Sequence, residues 1–146
     1  MSDFRRLSEK VSASPQIDTA QVAQAAKLGY SMIINNRPEG EAADQVEGAS
    51  IAEAAATAGL AYRAIPITHA GFSEAQVAAM REALDEADGP VLAYCRSGTR
   101  STLLWALAEA QGGREPDDIA DAAAAAGYDV APVRAILDML AARKQP

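Results

Sequence analysis

One cysteine occurs in the chain, Cys95, and the residues that follow it read Arg96-Ser97-Gly98-Thr99-Arg100-Ser101. A thiolate is a strong nucleophile, and the residues around this one are those that stabilise a sulfur anion. A short apolar run, Val91-Leu92-Ala93-Tyr94, leads into the cysteine, and a helix is expected just after the loop. Successive backbone N–H groups there converge on an anion with help from the helix dipole. Gly98 supplies the backbone freedom of such a nest, and Arg100 can return over the loop with a planar fork for an oxyanion. Ser101 is expected to donate to the sulfur. A helix terminus alone contributes only about 0.3–1 kcal/mol, so amides and arginine charge must act together. The alternative, a small buried core residue, would need neither flanking arginines nor a glycine.

Two further residues are candidates. His69, in Ile67-Thr68-His69-Ala70-Gly71-Phe72, is the one histidine and so the one side chain whose ordinary titration range suits proton transfer near neutrality. A hydrogen-bonded or surface role is the other reading. Arg37, in the polar stretch after Tyr30–Asn35, either extends a positive rim that steers an anion or braces its loop by pairing with Glu39 or Glu41. The predicted site is thus Cys95, Arg100 and His69 for chemistry, with Arg96, Ser97, Gly98, Thr99, Ser101 and Arg37 binding the anion.

These residues need a scaffold, and the chain alternates short apolar runs with alanine-rich helical patterns. Leu7–Ser14 reads as an extended segment or a pair of short strands. Asp18 and Gln21 form a capping box for a helix ending at Gly29. A strand over Tyr30–Asn35 precedes a polar loop to about Gly48, and Ser50 with Glu53 is expected to start the second helix, ending near Gly59. Ala61–Pro66 is a strand, Ser73 and Gln76 open a third helix, and Val91–Tyr94 is the strand before the cysteine. A helix from about Ser101 carries Leu103, Leu104 and Trp105 into the core and ends at Gly112-Gly113. Pro116 and Pro132 suit the first turns of two more helices, separated by Gly127. Such alternation implies a mainly parallel sheet with helices on both faces, whose sites lie at the strands' carboxyl ends. Cys95, Asn36-Arg37 and Thr68-His69 all follow strand ends.

The 146 residues suit one domain spanning 1–146, and 49% are apolar although only 5% are aromatic. The formal net charge of −7 opposes nucleic acid and anionic membranes as partners. No apolar run is long enough to span a bilayer, and the polar first residues do not read as a signal peptide. A lone cysteine excludes an internal disulfide and suits a reducing compartment, so a cytoplasmic protein is expected. One cysteine and one histidine make a structural zinc site unsuited to this chain, and no cofactor is called for.

The loop Cys95–Ser101 resembles that of rhodanese-type sulfurtransferases, with four residues between the cysteine and the final loop residue. Tyrosine and dual-specificity phosphatases have five before their arginine. The wider chain resembles the phosphatase-like domain of beta-lactamase-hydrolase-like proteins, whose members are also described as sulfur transferases. The resemblance is carried by Ser12-Ala13-Ser14-Pro15-Gln16-Ile17, Ile33-Ile34-Asn35-Asn36-Arg37-Pro38, Ile65-Pro66-Ile67, the cysteine loop and Ala126-Gly127-Tyr128-Asp129. It implies an α/β dual-specificity-phosphatase-like fold without fixing the reaction.

Two chemistries follow. In sulfur transfer, Cys95 takes sulfur from a small anionic sulfane donor and passes it from a persulfide to an external thiol acceptor or similar nucleophile. In phosphate monoester hydrolysis, the substrate is a phosphoester and the intermediate a cysteinyl-phosphate. Phosphatases of the resembling fold supply an aspartate as acid on a loop where this chain has Thr68-His69-Ala70. The short loop and that substitution put sulfur transfer first on sequence grounds. A module that binds an anion without turnover is the third reading.

Overall fold

The computed structural model describes residues 3–144. Five strands form one sheet: β1 (Arg5–Arg6), β2 (Val11–Ser14), β3 (Met32–Asn35), β4 (Ala61–Ala64) and β5 (Val91–Tyr94). Their order is β1-β2-β5-β3-β4, with β1 antiparallel and every other pairing parallel. Among the described residues six α-helices accompany them: α1 (Thr19–Lys27), α2 (Gly48–Ala58), α3 (Glu74–Glu86), α4 (Thr99–Gln111), α5 (Pro116–Ala125) and α6 (Arg134–Lys144). This is the mainly parallel α/β architecture expected, with Leu7–Ser14 resolved as the second half of a β1–β2 hairpin.

The strand pattern explains the layers. Side chains alternate across a strand, so Ile33, Leu92 and Tyr94 face α1 and α2 in a core with Val22, Ala25, Ile51 and Ala55. Met32, Ile34, Val91 and Ala93 enter the other core, with residues of α3, α4, α5 and α6. All residues of β3 and β5 are buried, as strands covered on both faces must be. β4 is one edge, opposite β1, and Arg63 on it pairs with Glu86 at 3.0 Å, a charge that discourages further strand pairing.

Local signals set the helix starts unevenly. Asp18 with Gln21 and Ser73 with Gln76 form both predicted capping boxes. Helix α2 begins at Gly48, two residues before the expected Ser50, and its cap Glu47 makes no side-chain capping bond. Instead Glu39 accepts the Gly48 N–H at 2.8 Å from across the loop. Helix α4 likewise starts at Thr99, ahead of Ser101, and is buried along almost its whole length between the sheet and its helical neighbours. Trp105 is fully buried on it, with Arg114 stacked over the ring at 5.6 Å. Pro132 lies in a short 3-10 turn, Ala131–Val133, rather than inside the last α-helix.

Candidate active site

β5 lies in the middle of the sheet, so Cys95 emerges between the chain segments that follow β2 and β3. Backbone bonds tie the three together: Cys95 N–H to Ser14 O at 3.3 Å, Gln16 N–H to Arg96 O at 3.2 Å and Asn36 N–H to Tyr94 O at 2.8 Å. Three residues, Arg96 to Gly98, then turn the chain into α4. Gly98 makes this possible, with φ +94° at the helix cap. A Cβ there would sit 2.1 Å from Tyr128 Oη and 3.3 Å from the Ser14 carbonyl carbon, so the position has no room for a side chain.

The loop is fixed on both sides. Tyr128 Oη donates to Ser97 O at 3.2 Å, and Arg5 lies over the Tyr128 ring at 5.2 Å. Burial raises the Tyr128 hydroxyl pKa, with Arg5 opposing, so it remains a donor. Ser97 Oγ donates to Thr99 Oγ1 at 3.0 Å and accepts the Thr99 N–H at 3.3 Å. Inside the loop, the Gly98 N–H donates to Cys95 Sγ at 3.1 Å. The other first-turn amides of α4 have no acceptor within the helix, and together with the dipole they make its start attractive to an anion.

Arg100 reaches back from α4 to the loops after β3 and β4, where its guanidinium meets a carboxylate of the chain itself. Nη1 donates to Glu41 Oε2 at 2.7 Å and to Ile67 O at 2.9 Å, and Nη2 donates to Glu41 Oε1 at 2.8 Å. The paired carboxylate raises the Arg100 pKa, and the nearby Cys95 sulfur adds to the effect. Reciprocally, hydrogen bonding from Arg100 and then Arg37 holds the Glu41 carboxyl at about 2 despite partial burial. Cys95 has no exposed surface, so a substrate atom reaches the sulfur only after a local rearrangement of the groups that cover it.

Several expectations are corrected. Ser101 does not donate to the sulfur; it is fully buried and its Oγ donates to Asn36 Oδ1 at 2.7 Å. Asn36 in turn donates to Ile65 O at 2.9 Å, tying the loops after β3 and β4 to α4. Arg37 is not on an open rim: it is 5% exposed, with Nε on Glu41 at 2.9 Å and Nη1 on Gln16 Oε1 at 2.9 Å. The bracing alternative describes it. Arg96, Ser97 and Thr99 are on the exposed side of the loop, while Gly98 is buried beneath it. His69 is exposed in the Thr68–Gly71 turn, two residues beyond the Ile67 carbonyl that accepts from Arg100. Glu41 is the site residue that sequence reasoning missed, having placed it only as a partner of Arg37. The nearest signal was its short distance beyond Asn36-Arg37, at the carboxyl end of a strand.

The match to the phosphatase-like domain of the beta-lactamase hydrolase-like proteins spans residues 3–112, which include this loop and its supports. The chain belongs to that family. Relatives of this phosphatase-like domain include beta-lactamase hydrolase-like proteins of Xylella fastidiosa, 36% identical over 125 residues, and of Agrobacterium fabrum, 35% identical over 126. The alignments cover 85% and 86% of this chain but 29% of each relative, so the chain spans under a third of their length. A structure from Neisseria meningitidis, described as a candidate phosphatase, superposes with TM-score 0.84 at 35% identity, covering 96% of this chain and 99% of that one. The Pseudomonas aeruginosa protein TpbA, solved with phosphotyrosine, gives TM-score 0.58 at 20% identity over 93% of this chain and 90% of its own. At that identity the likeness is one of fold, and the fold of this phosphatase-like domain is that of the tyrosine and dual-specificity phosphatases.

Proposed function

We propose that this domain hydrolyses phosphate monoesters through a cysteinyl-phosphate on Cys95. The observation that carries the reading is the β5–α4 junction: Cys95 follows the central strand, its sulfur accepts the Gly98 N–H at 3.1 Å, and Arg100 stands in the first turn of the helix that begins there. Family membership and the phosphotyrosine-bound neighbour support a phosphoester as the substrate class. The Cys95 thiolate attacks phosphorus and the ester P–O bond breaks, the leaving oxygen taking a proton. Water then attacks phosphorus, the P–S bond breaks, and inorganic phosphate leaves with the thiolate restored. Loop amides and Arg100 stabilise the equatorial oxygens as charge develops. Glu41 is held ionised by two arginines and is a poor proton donor, so His69 or water serves the leaving group.

Sulfur transfer is the second reading, favoured by the short loop and by the single Gly98 amide directed at the sulfur. With thiosulfate as donor, Cys95 takes the outer sulfur as a persulfide, sulfite leaves, and an external thiol collects the sulfur. One experiment separates the two: purified protein and its Cys95→Ser variant with para-nitrophenyl phosphate, and in parallel with thiosulfate or glutathione persulfide. Hydrolysis lost in Cys95→Ser, with a phosphoryl adduct trapped on Cys95, supports the first reading. A one-sulfur mass gain on Cys95 without phosphate release overturns it in favour of the second. Anion binding with neither activity leaves a binding module.

A further inference from the structure

We infer that Tyr128 is a positioning residue for Cys95: by holding the Ser97 carbonyl it aims the Gly98 N–H at the sulfur. This role rests on the reading of Cys95 as the nucleophile. One peptide unit carries both contacts. Ser97 O and the Gly98 N–H belong to the same planar group, and in a trans peptide they point in opposite directions. On one side Tyr128 Oη donates to Ser97 O at 3.2 Å; on the other the Gly98 N–H donates to Cys95 Sγ at 3.1 Å. Fixing the carbonyl end therefore fixes the direction of the donor end. A hydrogen bond accepted by a peptide carbonyl also polarises its N–H, which strengthens the bond that N–H gives to sulfur.

The phenol is held in that place from two directions. Helix α5 ends at Ala125, and Gly127, at φ +91°, turns the chain so that the Tyr128 N–H bonds back to Ala123 O at 2.9 Å. Arg5 reaches over from β1 to lie 5.2 Å from the ring centre. Its Nε and Nη2 donate to Asp3 at 3.1 Å each and its Nη1 to Ala126 O at 3.4 Å, so the guanidinium is itself anchored. Gly98 completes the fit, because the Tyr128 hydroxyl fills the space that a Cβ would take. Burial holds that hydroxyl above the usual tyrosine range against the pull of Arg5, and Asp3 and the Cys95 sulfur push it the same way. It therefore still donates at pH values where an ordinary thiol, near about 8.5, ionises.

The test is Tyr128→Phe, which removes the hydroxyl and keeps the ring. The charged groups around the sulfur and the phenol are Arg100 with its partner Glu41, and Arg5 with Asp3, and the substitution touches none of them. Because the chain has one cysteine, its thiolate can be followed by ultraviolet absorbance against pH, with Cys95→Ser in each background as the blank. Tyr128 is half-buried and loses one oxygen, so the variant is expected to fold, which melting curves establish first. The thiolate signal should appear about 0.5–1 pH unit higher in Tyr128→Phe than in wild type, a thiolate fraction about three- to tenfold smaller on the acid side. In NMR spectra the Gly98 amide proton should move upfield as its bond to sulfur weakens. A thiolate titration that is unchanged or moves downward overturns the inference even where the melting temperature falls, since a merely structural clamp gives that result. Para-nitrophenyl phosphate turnover of wild type is measured in parallel. If wild type hydrolyses nothing and the shift appears, hydrolysis fails while the positioning role stands. Hydrolysis without the shift removes the positioning role alone.

Discussion

Gly98→Ala is the sharpest perturbation of the cysteine loop that removes none of its reactive side chains. Two costs add. At φ +94°, a residue with a Cβ gives up about 1–2 kcal/mol relative to glycine. The new methyl would also meet Tyr128 Oη at 2.1 Å and Cζ at 2.9 Å, so Tyr128 must retreat and release Ser97 O. A lost hydrogen bond of that kind adds about 0.5–1.5 kcal/mol. The sum is about 1.5–3.5 kcal/mol, or about 3–14 °C in melting temperature for a domain of this size. Retreat of Tyr128 does not remove the contact with the Ser14 carbonyl carbon at 3.3 Å, so the loop itself must shift and activity should fall. Thermal unfolding and turnover of Gly98→Ala, Tyr128→Phe and the double variant form a cycle. The double variant should be less destabilised than the two single losses added together, because the phenylalanine lacks the clashing oxygen. A Gly98→Ala protein with wild-type melting and turnover would refute the reasoning.

Other outcomes follow from the same contacts. Glu41 is depressed from 4.5 to about 2 by its arginines, so its contribution is fully present above about pH 4.5 and is lost as pH falls through about 2. The shift corresponds to about 3 kcal/mol at most, and partial exposure of the pair reduces it to about 1–2 kcal/mol; denaturant titrations of wild type and Glu41→Gln across that range should differ by this component. Asn36→Ala leaves the buried Ser101 hydroxyl and the Ile65 carbonyl without their partner, and should lower stability by about 2–4 kcal/mol in chemical denaturation. His69→Ala should leave the melting temperature within about 1 °C, since the side chain is exposed. On the phosphatase reading it slows hydrolysis of esters with poor leaving groups more than that of para-nitrophenyl phosphate. Equal slowing of both would remove His69 as a proton donor.

The elements were largely legible because they carry strong local signals: two capping boxes, the glycine after α2, and the short apolar runs that make up most of β3 and β5. Helix α4 was misjudged at its start because Thr99 and Arg100 are polar and turn toward the loop, so the apolar pattern begins only later. Helix α2 was misjudged because its first N–H is satisfied by Glu39, a loop residue rather than a helix cap. Within the site, Cys95, Gly98 and Arg100 were readable because their spacing is local. Glu41, Asn36 and Tyr128 act through proximity that depends on strand order, and the sequence does not state that β3 and β5 are neighbours. Ser101 was assigned to the sulfur for want of its actual acceptor, which lies 65 positions away.

The position of β5 bears on how the molecule assembles. Val91 pairs with Val11 on one side and Met32 on the other, so the strand that delivers the cysteine closes two long chain loops at once. Such closures are slow relative to local helix formation. During refolding the one thiol therefore stays open to alkylation until the central strand has docked, and its protection marks the moment the two halves of the sheet become continuous.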